Sequence, residues 1–522
     1  GIVITEDRCT ATAVAKKAGV NGPMTSHTAD CADCDFRINK RPSMDWPKGS
    51  MRPCYAYKGN YPAIVSSVRG GKTWLPENLE GTKEQISVWK KQEKELITGY
   101  IPQVEHTYAI YEAGYGIMNE HQLAIGESTC AAKLYAAPTI AGGKAILDVR
   151  ELSQIALERT KTARDAIQTM GSLAEKYGYY SADWVSENDA RMGEGGEALT
   201  VIDKTEAWVF HILPDDTGTT AVWAAQRVPD DHIAAVANQF VIREIDPASP
   251  DFMASSNIRE VAIRTGLWKP QHAAELLNFV HTFGPPRAHS SYANRRVWRI
   301  FSLANPNLNL PADTNSYADD YPFSVPVARP LSAADIMALN RDHYEGTPFD
   351  LTKGLAAGPY GDPNRWDVSP VEGRSLEQML QGGFERSIGL FRTSYSFVAE
   401  SREAVPDWMS MMWFSQHAAF AASYVPLYLV AEDAPQEYRT GSLFKYDSSV
   451  AFWNFCAAGN YAARFYEYAM EDLRTLQREL ETKAFKLRRK VEEESIIALS
   501  FIKDASSTGY TFAKGGFQEK LA

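Results

Sequence analysis

Residues 9–30 read CTATAVAKKAGVNGPMTSHTAD, and this stretch decides the expected fold. Small and β-branched residues fill Thr10–Val14, and an extended pattern resumes over residues 24–28. The Asn21-Gly22 pair lies between the two runs, and Asn-Gly in that position is a good hairpin signal. The sequence therefore predicts two antiparallel strands that begin directly after Cys9.

Further strand-like runs lie on both sides of a segment with helical spacing. Apolar residues at helical spacing cover residues 150–179, which predicts one long helix there. Strand blocks that flank a helix in this way predict an α+β fold, with layered sheets and helices outside them. The predicted strands are residues 107–111, 123–126, 145–149, 199–202, 207–213, 220–227 and 232–241.

The rest of the chain carries weaker signals. Residues 305–352 are rich in Pro, Asn and Asp and are expected to wrap the surface. The apolar run at residues 418–431 is too short for a membrane span and is interpreted as a buried helix or strand. Residues 461–499 alternate in charge, which predicts an amphipathic helix or helix pair that packs on the body or on a partner subunit.

Composition excludes several classes of protein. The 522 residues are 44% hydrophobic and 11% aromatic, which is enough for a large packed interior and excludes disorder over most of the length. A formal net charge of -11 argues against nucleic acid as the main partner, because phosphate binding requires concentrated Lys and Arg. The sequence contains no P-loop, His-Glu-x-x-His, Gly-x-Ser-x-Gly or dinucleotide-loop motif. These absences remove the simplest support for an ATP-binding, NAD-binding or serine-hydrolase function. The reaction expected below requires no metal and no organic cofactor.

Six cysteines are too few and too scattered for a disulfide-framed scaffold, although one or two bridges remain possible. Cys31 and Cys34 form a Cys-x-x-Cys motif with His27 and Asp30 beside it. Half of a zinc site or a redox pair is conceivable, but the second half of a zinc ligand set is not evident. The simpler interpretations, a local disulfide or two packed thiols, are preferred.

The stretch from Cys9 is similar to the start of mature dipeptidases of peptidase family C69. In these enzymes a cysteine precedes a strand, a glycine turn and a second strand that ends in a polar cluster, as SHTAD does at residues 26–30. Several motifs in one order are more specific than any single motif. The further matches are YKGNYP (57–62), GIMNEHQLAIGES (116–128), GEGGEALT (193–200), EAWVFHI (206–212), ANQF (237–240) and RRVWRIFS (295–302).

The resemblance implies a four-layer αββα N-terminal-nucleophile hydrolase fold over residues 9–460. A leader or pro-segment would occupy residues 1–8, and residues 461–522 would form an added helical region. A thiol of ordinary pKa, about 8.5, needs a base at neutral pH. The α-amine of a terminal cysteine, with a pKa of about 7.7–8.0, supplies that base on the same residue. Cys9 would therefore become the nucleophile once the leader is removed, and proteolysis or autoprocessing would activate a zymogen.

The resemblance also implies the other site residues, by position in the wider superfamily of conjugated bile salt hydrolases and penicillin V acylases. Asp30 would hold the α-amine, and His27 stands where those relatives carry an Arg near the thiol. An oxyanion hole would take the backbone N–H of Asn119 and the side-chain amide of Asn238. The remaining assignments are Arg296 as the cation that steadies the site, Arg295 as its rival, and Glu194 and Glu197 as structural or pocket-lining residues.

The expected reaction is hydrolysis of an N-terminal dipeptide or a similar small amide through an acyl-enzyme on Cys9. Two alternatives remain open: an acylase acting on N-acylated small molecules, and an uncleaved precursor or structural assembly protein built on the same fold. A small peptide substrate and a homo-oligomer are the expected partners, without nucleic acid or a membrane span. The start at Gly1 rather than Met leads to the expectation of a secreted or lysosome-like endomembrane location.

Overall fold

The computed structural model describes residues 9–507, apart from residues 32, 57–60, 64–68, 70, 76–79, 182–194, 287–289 and 365–385. The predicted leader, Glu194 and part of the motif at residues 57–62 therefore lie outside the described residues.

The strands of the described residues are short, and most of those in the two main sheets are buried, with β16 and β21 at the sheet edges only partly so. In chain order they are β1 (Thr10–Val14), β2 (Met24–Ala29), β3 (Asn39–Arg41), β4 (Met44–Asp45), β5 (Met51–Tyr55), β6 (Ile97–Pro102), β7 (His106–Thr107), β8 (Ile110–Glu112), β9 (Gly116–Asn119), β10 (Ala124–Cys130), β11 (Gly196–Ile202), β12 (Ala207–Pro214), β13 (Ala221–Arg227), β14 (His232–Val236), β15 (Glu244–Ile245), β16 (Phe252–Ala254), β17 (Leu277–Asn278), β18 (Ser324–Pro326), β19 (Tyr395–Glu400), β20 (Met411–Gln416) and β21 (Val425–Tyr428).

The helices vary from one turn to a single long rod near the end of the described residues. In chain order they are α1 (Lys83–Glu95), α2 (Val149–Arg159), α3 (Ala163–Tyr177), α4 (Ile258–Arg264), α5 (Phe279–Phe283), α6 (Ser290–Ala304), α7 (Ala333–Leu339), α8 (Gly354–Ala357), α9 (Gln436–Arg439), α10 (Ala451–Ala463) and α11 (Tyr466–Ser507).

Two large antiparallel sheets organise these strands. The first sheet has seven strands in the order β18-β14-β1-β2-β19-β20-β21, and the second has eight in the order β16-β13-β12-β11-β10-β9-β8-β3. Strand β1 therefore lies inside the first sheet, between β14 and β2. Antiparallel sheets combined with helices agree with the predicted α+β class, and β11, β12 and β13 confirm the strands predicted at residues 199–202, 207–213 and 220–227.

The hairpin predicted after Cys9 is present. Strands β1 and β2 pair in register from Thr10 opposite Thr28 to Val14 opposite Met24. Gly22 in the turn has φ +125, and a Cβ there would lie 2.4 Å from the carbonyl oxygen of Ser401. The turn therefore requires glycine at this position.

Three apolar clusters bind these elements together. The first lies between the sheets and joins small side chains such as Ala13 and Ala29 of the first sheet to Ala124 and Ala198 of the second. The second cluster joins the second sheet to α2 and α3, and the third joins the first sheet to α6 and α7. Small residues facing each other let two sheets approach closely, so the polar side chains between them are cut off from solvent.

The structure corrects several of the predicted elements. The strand predicted at residues 232–241 ends at Val236, and the strand predicted at residues 107–111 is divided between β7 and β8. The helix predicted over residues 150–179 is two helices, because Thr160 is extended and the Thr162 side chain caps the start of α3. Residues 145–149, predicted as a strand, make only isolated bridges before Asp148 caps α2. Threonine and aspartate at helix starts override apolar spacing, since their side chains satisfy backbone N–H groups that the first turn leaves unpaired.

Helix α11 packs on the body along the first sheet. Phe485 packs on Trp413 with ring centroids 4.2 Å apart, and the Gln477 side chain donates to the Phe420 carbonyl at 2.7 Å. The Arg488 guanidinium pairs with Glu400 at 2.7 Å. These contacts confirm that the charged segment is helical and packs on the body. Within the described part of the chain, no helix combines the length and apolarity needed to cross a bilayer.

Candidate active site

Cys9 lies immediately before β1 of the first sheet, and its side chain is fully buried. The thiol is not part of a disulfide. Its carbonyl oxygen accepts hydrogen bonds from Ser128 Oγ at 3.2 Å and from Arg296 Nη1 at 2.9 Å. Residues from β10 and α6 thus hold the Cys9 backbone from two sides.

Arg296 is a buried arginine that contacts the Cys9 backbone. Its side chain is fully buried, and burial followed by repulsion from Arg386 lowers its pKa to about 9. A group with that pKa remains charged at neutral pH. Besides Cys9, its guanidinium donates to Thr10 Oγ1 (2.8 Å), Asn238 Oδ1 (2.7 Å), the Ala237 carbonyl (3.3 Å) and the Tyr292 carbonyl (3.0 Å).

The rival cation, Arg295, points elsewhere. It pairs with Asp313, whose side chain is 71% exposed, and its guanidinium lies 3.7 Å from the ring centroid of Phe349. Adjacent residues on a helix face different directions, so only one of the two arginines can reach the sheet. The structure brings Arg296 to Cys9.

Asn238 follows β14 in the left-handed conformation, with φ +60. Its backbone N–H donates to Ser128 Oγ at 3.0 Å, and its side-chain nitrogen donates to the Thr129 carbonyl at 2.8 Å. With Arg296 on its Oδ1, the amide is held in one orientation. The oxyanion contact predicted for this side-chain amide stays a prediction.

Asp30 follows β2 in a fully buried cluster of donors. Arg386 forms an ion pair with its Oδ2, Thr393 Oγ1 donates to its Oδ1 at 2.5 Å, and Thr28 Oγ1 donates to Oδ2 at 3.0 Å. Burial works against the charge of Arg386, but Asp30 outweighs it and raises the pKa of that guanidinium. Arg386 was not predicted from the sequence, because it belongs to no motif and becomes significant only through its buried partner.

His27 lies on β2 and points toward β10. Its Nε2 is 3.3 Å from Glu127 Oε2, and both side chains are 1% exposed. Potential ligand atoms of Cys9, His27 and Glu127 all lie within 4.8 Å of one another. Tyr115 and Tyr395 pack against the His27 ring, with centroids 5.8 and 5.7 Å away. The structure therefore brings His27 to Cys9 and adds Glu127, which was not predicted as a site residue although it lies in a matched motif.

The charge state of Glu127 reflects this neighbourhood. Burial works to raise its pKa, but the close contact with His27, with smaller contributions from Glu197 and Thr129, lowers it below the ordinary value. Glu127 Oε1 accepts from Thr129 Oγ1 at 2.8 Å. Glu197, predicted to be structural or pocket-lining, is fully buried on β11 beside this group.

Asn119 makes hydrogen bonds in the turn between β9 and β10. Its backbone N–H, the predicted oxyanion donor, donates to the Leu123 carbonyl at 3.0 Å, and the oxyanion role stays a prediction. Its side-chain nitrogen donates to the Leu157 and Thr160 carbonyls at 2.9 and 2.8 Å. Asn119 ties the turn to the end of α2. The pattern Met-Asn-Glu does not reveal this, because the partners are distant in the chain.

Two clusters among the described residues contain the side-chain types that bind transition metals. In Cys31, Asp33 and Cys34 the two sulfurs are joined in a disulfide, which removes the thiolates that a metal would require. This confirms the local disulfide among the interpretations of the Cys-x-x-Cys motif. The other cluster is Cys9, His27 and Glu127, which combines a buried thiol with two groups capable of acid–base chemistry.

Comparison with protein families gives one match across nearly the whole chain. The model of peptidase family C69 matches residues 9–479. Among curated proteins, the chain is 25% identical over 307 residues to "Probable dipeptidase B" of Lactococcus lactis, covering 58% of this chain and 55% of that protein. It is 23% identical over 352 residues to "Dipeptidase A" of Lactobacillus helveticus, covering 65% of this chain and 64% of that protein. The chain thus spans between about half and two thirds of the length of these relatives.

Comparison with solved structures finds a distant likeness. The crystal structure of a mutant conjugated bile acid hydrolase from Clostridium perfringens shares 13% identity with this chain, at a TM-score of 0.26. The alignment covers 84% of this chain and 100% of that one.

Proposed function

The chain belongs to peptidase family C69, and from that premise we propose that it is a cysteine peptidase that hydrolyses dipeptides or similarly small amides. The names of the curated relatives support a dipeptidase. The observation that carries the assignment to Cys9 is the buried arginine at its backbone. Arg296 bridges the Cys9 carbonyl and the Asn238 amide, at 2.9 and 2.7 Å.

The proposed reaction begins at a Cys9 whose nitrogen is a free amine. A base accepts the thiol proton, and Sγ attacks the carbonyl carbon of the substrate amide. The tetrahedral oxyanion collapses as the leaving nitrogen takes the proton, which yields a thioester on Cys9. Water then attacks the thioester, releases the acid and restores the thiol.

Asn238 is the proposed donor to the oxyanion. Its amide is already oriented by Arg296 and Thr129, so little reorganisation is needed when charge develops on the substrate oxygen. A donor fixed in a dry site stabilises a developing charge more than water does. Arg296 acts as a positioning residue, because it orients both the nucleophile's backbone and this donor.

Asp30 is the proposed acceptor for the α-amine of Cys9. A carboxylate offers roughly four acceptor positions, so the bonds from Arg386, Thr393 and Thr28 are compatible with an added ammonium group. This role requires removal of residues 1–8, which we propose as the activating step. A secreted or lysosome-like location and a homo-oligomer belong to the same proposal.

We also propose the four-layer αββα arrangement for residues 9–460, with residues 461–522 as a helical addition. The apolar clusters on the outer face of each sheet, which hold α2 and α3 on one side and α6 and α7 on the other, support this arrangement. The cluster between the sheets supports the inner interface.

The experiment compares chains that begin at Cys9 with chains that keep residues 1–8. Each is assayed against a panel of dipeptides, and mass spectrometry seeks the acyl-enzyme on Cys9. We expect hydrolysis only from the chain that begins at Cys9, and its loss in Cys9→Ser. Cys54→Ser is the matched control, because Cys54 is another buried thiol outside disulfides, and burial raises its pKa to about 12.

Equal rates for wild type and Cys9→Ser would overturn the cysteine mechanism. Turnover of N-acylated small molecules in place of dipeptides would favour the acylase. Absence of hydrolysis from every form, with the fold intact, would favour the structural protein.

A further inference from the structure

The pair His27–Glu127 takes no part in the reaction proposed above, although it lies at the nucleophile. The Cys9 sulfur, a ring nitrogen of His27 and a carboxylate oxygen of Glu127 lie within 4.8 Å of one another. His27 Nε2 and Glu127 Oε2 are 3.3 Å apart, and neither atom has a hydrogen-bond partner among the described residues. Buried polar atoms without such partners are uncommon and call for an explanation.

We propose that His27 is a catalytic base for the Cys9 thiol, with Glu127 as the positioning carboxylate that stabilises the imidazolium. This inference rests on the proposed function, because it names a further residue for the same reaction. It adds a base that does not depend on the α-amine of Cys9.

The proton balance of the step is simple. The S–H bond of Cys9 breaks, and the proton moves to the ring nitrogen of His27 that faces the cluster. The products are a thiolate and an imidazolium, and no oxidant or other reactant is needed. The proton later passes to the leaving nitrogen of the substrate, which returns His27 to its neutral form.

The surroundings favour an ion pair over isolated charges. Both His27 and Glu127 are shielded from water, and a buried charge is tolerated when an opposite charge lies beside it. The lowered pKa of Glu127 is consistent with this, since His27 is its main favourable neighbour. A separation of up to 4.8 Å is longer than a hydrogen bond, but catalytic hydrogen bonds are often long before substrate binds.

Ionisable groups on the neighbouring strands, helix and loops also lie near Cys9, His27 and Glu127, and they influence the titration of the Cys9 thiol. They are Glu127 from β10, Glu197 from β11, Asp30 and its partner Arg386 from the end of β2 and its neighbouring loop, Arg296 from α6, and the Tyr115, Tyr179 and Tyr395 side chains. Substituting one residue at a time separates their effects from that of His27.

The main consequence concerns the chain that keeps residues 1–8. In that chain the Cys9 nitrogen is an amide and cannot accept a proton. A base on His27 would still generate the thiolate, so the nucleophile would be prepared before the amine exists. Dependence on the α-amine alone predicts the opposite, a thiol of ordinary reactivity until cleavage.

The test measures thiolate directly, because Cys9 is buried and alkylation would also report access. Ultraviolet absorbance of the thiolate is followed against pH, and Cys9→Ala is subtracted to remove the other thiols. We expect a midpoint at least about one pH unit below the ordinary thiol value of about 8.5, with or without residues 1–8. His27→Gln should raise the midpoint by about one unit or more in both chains.

Two further variants sharpen the result. In Glu127→Gln the imidazolium loses its neighbouring negative charge, so the high-pH limb of the activity profile should move to lower pH. His343→Gln is the matched control: His343 is a buried histidine 3.3 Å from Glu345, packed on Phe420 and Tyr466. It should leave the Cys9 titration unchanged.

An unchanged thiolate midpoint in His27→Gln would overturn the inference, even if Cys9-dependent hydrolysis proceeds. Loss of the low midpoint in chelator-treated protein would also overturn it, because a bound metal would then be the cause. A low midpoint that depends on His27, in a protein without hydrolysis, would support the inference and count against the proposed function.

Discussion

The guanidinium of Arg386 and the carboxylate of Asp30 form an ion pair in which both side chains are fully buried, although 356 positions separate them. Asp30 is the residue proposed to hold the α-amine of Cys9. The charge of Asp30 is therefore balanced by a residue far away in the chain, so the position of the segment that carries Arg386 affects the site.

Replacing Arg386 with Met is expected to destabilise the protein strongly. Removal of one partner leaves the Asp30 carboxylate buried without a counter-charge, which typically costs about 3–5 kcal/mol. Denaturant unfolding measures the change. The double variant with Asp30→Asn should recover part of the loss, because it removes the orphaned charge; a double variant less stable than the sum of the two singles would refute this explanation.

Replacing Arg296 with Lys should lower kcat/KM by about 10²–10³, since a lysine keeps the charge but cannot span the same set of acceptors. The measurement is steady-state hydrolysis by the chain that begins at Cys9. Arg295→Lys is the matched control on the neighbouring position, where the partner Asp313 is largely exposed. Similar losses of kcat/KM in both variants would show that any disturbance of α6 lowers activity, and that the contacts of Arg296 are not the specific cause.

Replacing Asn238 with Gly keeps the left-handed backbone at φ +60 and removes only the amide. We expect kcat/KM to fall by about 10²–10³, as when one oxyanion donor is lost. Thermal unfolding of the same variant checks that the loop remains folded. A fall in stability that accounts for the whole loss of activity would contradict the oxyanion role.

Replacing Asn119 with Ala should lower the stability of the protein and leave its activity almost unchanged. The side chain makes two donor bonds to carbonyls at the end of α2 and accepts from the N–H groups of His121 and Leu123. Their loss leaves buried groups unsatisfied, and the free energy of unfolding should fall by about 2–4 kcal/mol. Turnover by the folded fraction, measured at low temperature, should change little; a large drop in kcat without a stability change would show that the side chain acts on the reaction rather than on the turn.

Stability should fall at acid pH through two carboxylates of α2. Burial alone would raise the pKa values of Glu151 and Glu158, but Arg52 and other arginines outweigh it and lower both from 4.5 to about 2. The unfolded chain therefore takes up these protons first as the pH falls. Their stabilisation is complete above about pH 4.5 and is lost as the pH falls toward about 2.

The measurement is the free energy of unfolding as a function of pH. Glu158→Gln should flatten the acid limb, because one of the two groups no longer titrates. Asp148→Asn should leave the limb below about pH 4 unchanged, because burial raises the pKa of Asp148 to about 6. An equally steep limb in Glu158→Gln would show that other carboxylates control acid unfolding.

Much of the fold could be predicted because its signals are local. Small and β-branched residues with an Asn-Gly turn indicate the β1–β2 hairpin, and the strands at residues 199–227 follow from similar runs between turns. The break between α2 and α3 was missed because apolar spacing continues across Thr160, where the helix ends. Capping depends on side-chain geometry that spacing does not contain.

Only those site residues that are marked by local sequence patterns could be named from the sequence. The position of Cys9 before a strand could be inferred from residues close to it in the chain, and Arg296 was identified through the motif at residues 295–302. Glu127 and Arg386 could not, because each gains its significance from a buried partner on another element. The backbone N–H of Asn119, which was predicted to donate to the oxyanion, donates to the Leu123 carbonyl within the β9–β10 turn.

The amino-acid sequence by itself determined the hairpin at Cys9 and the strands over residues 199–227, since these depend on backbone preferences over a few residues. Tertiary structure decided which charged side chains lie near Cys9. Burial between two sheets makes an unbalanced charge costly, so Asp30 acquires Arg386 and His27 acquires Glu127 only when distant segments close around them.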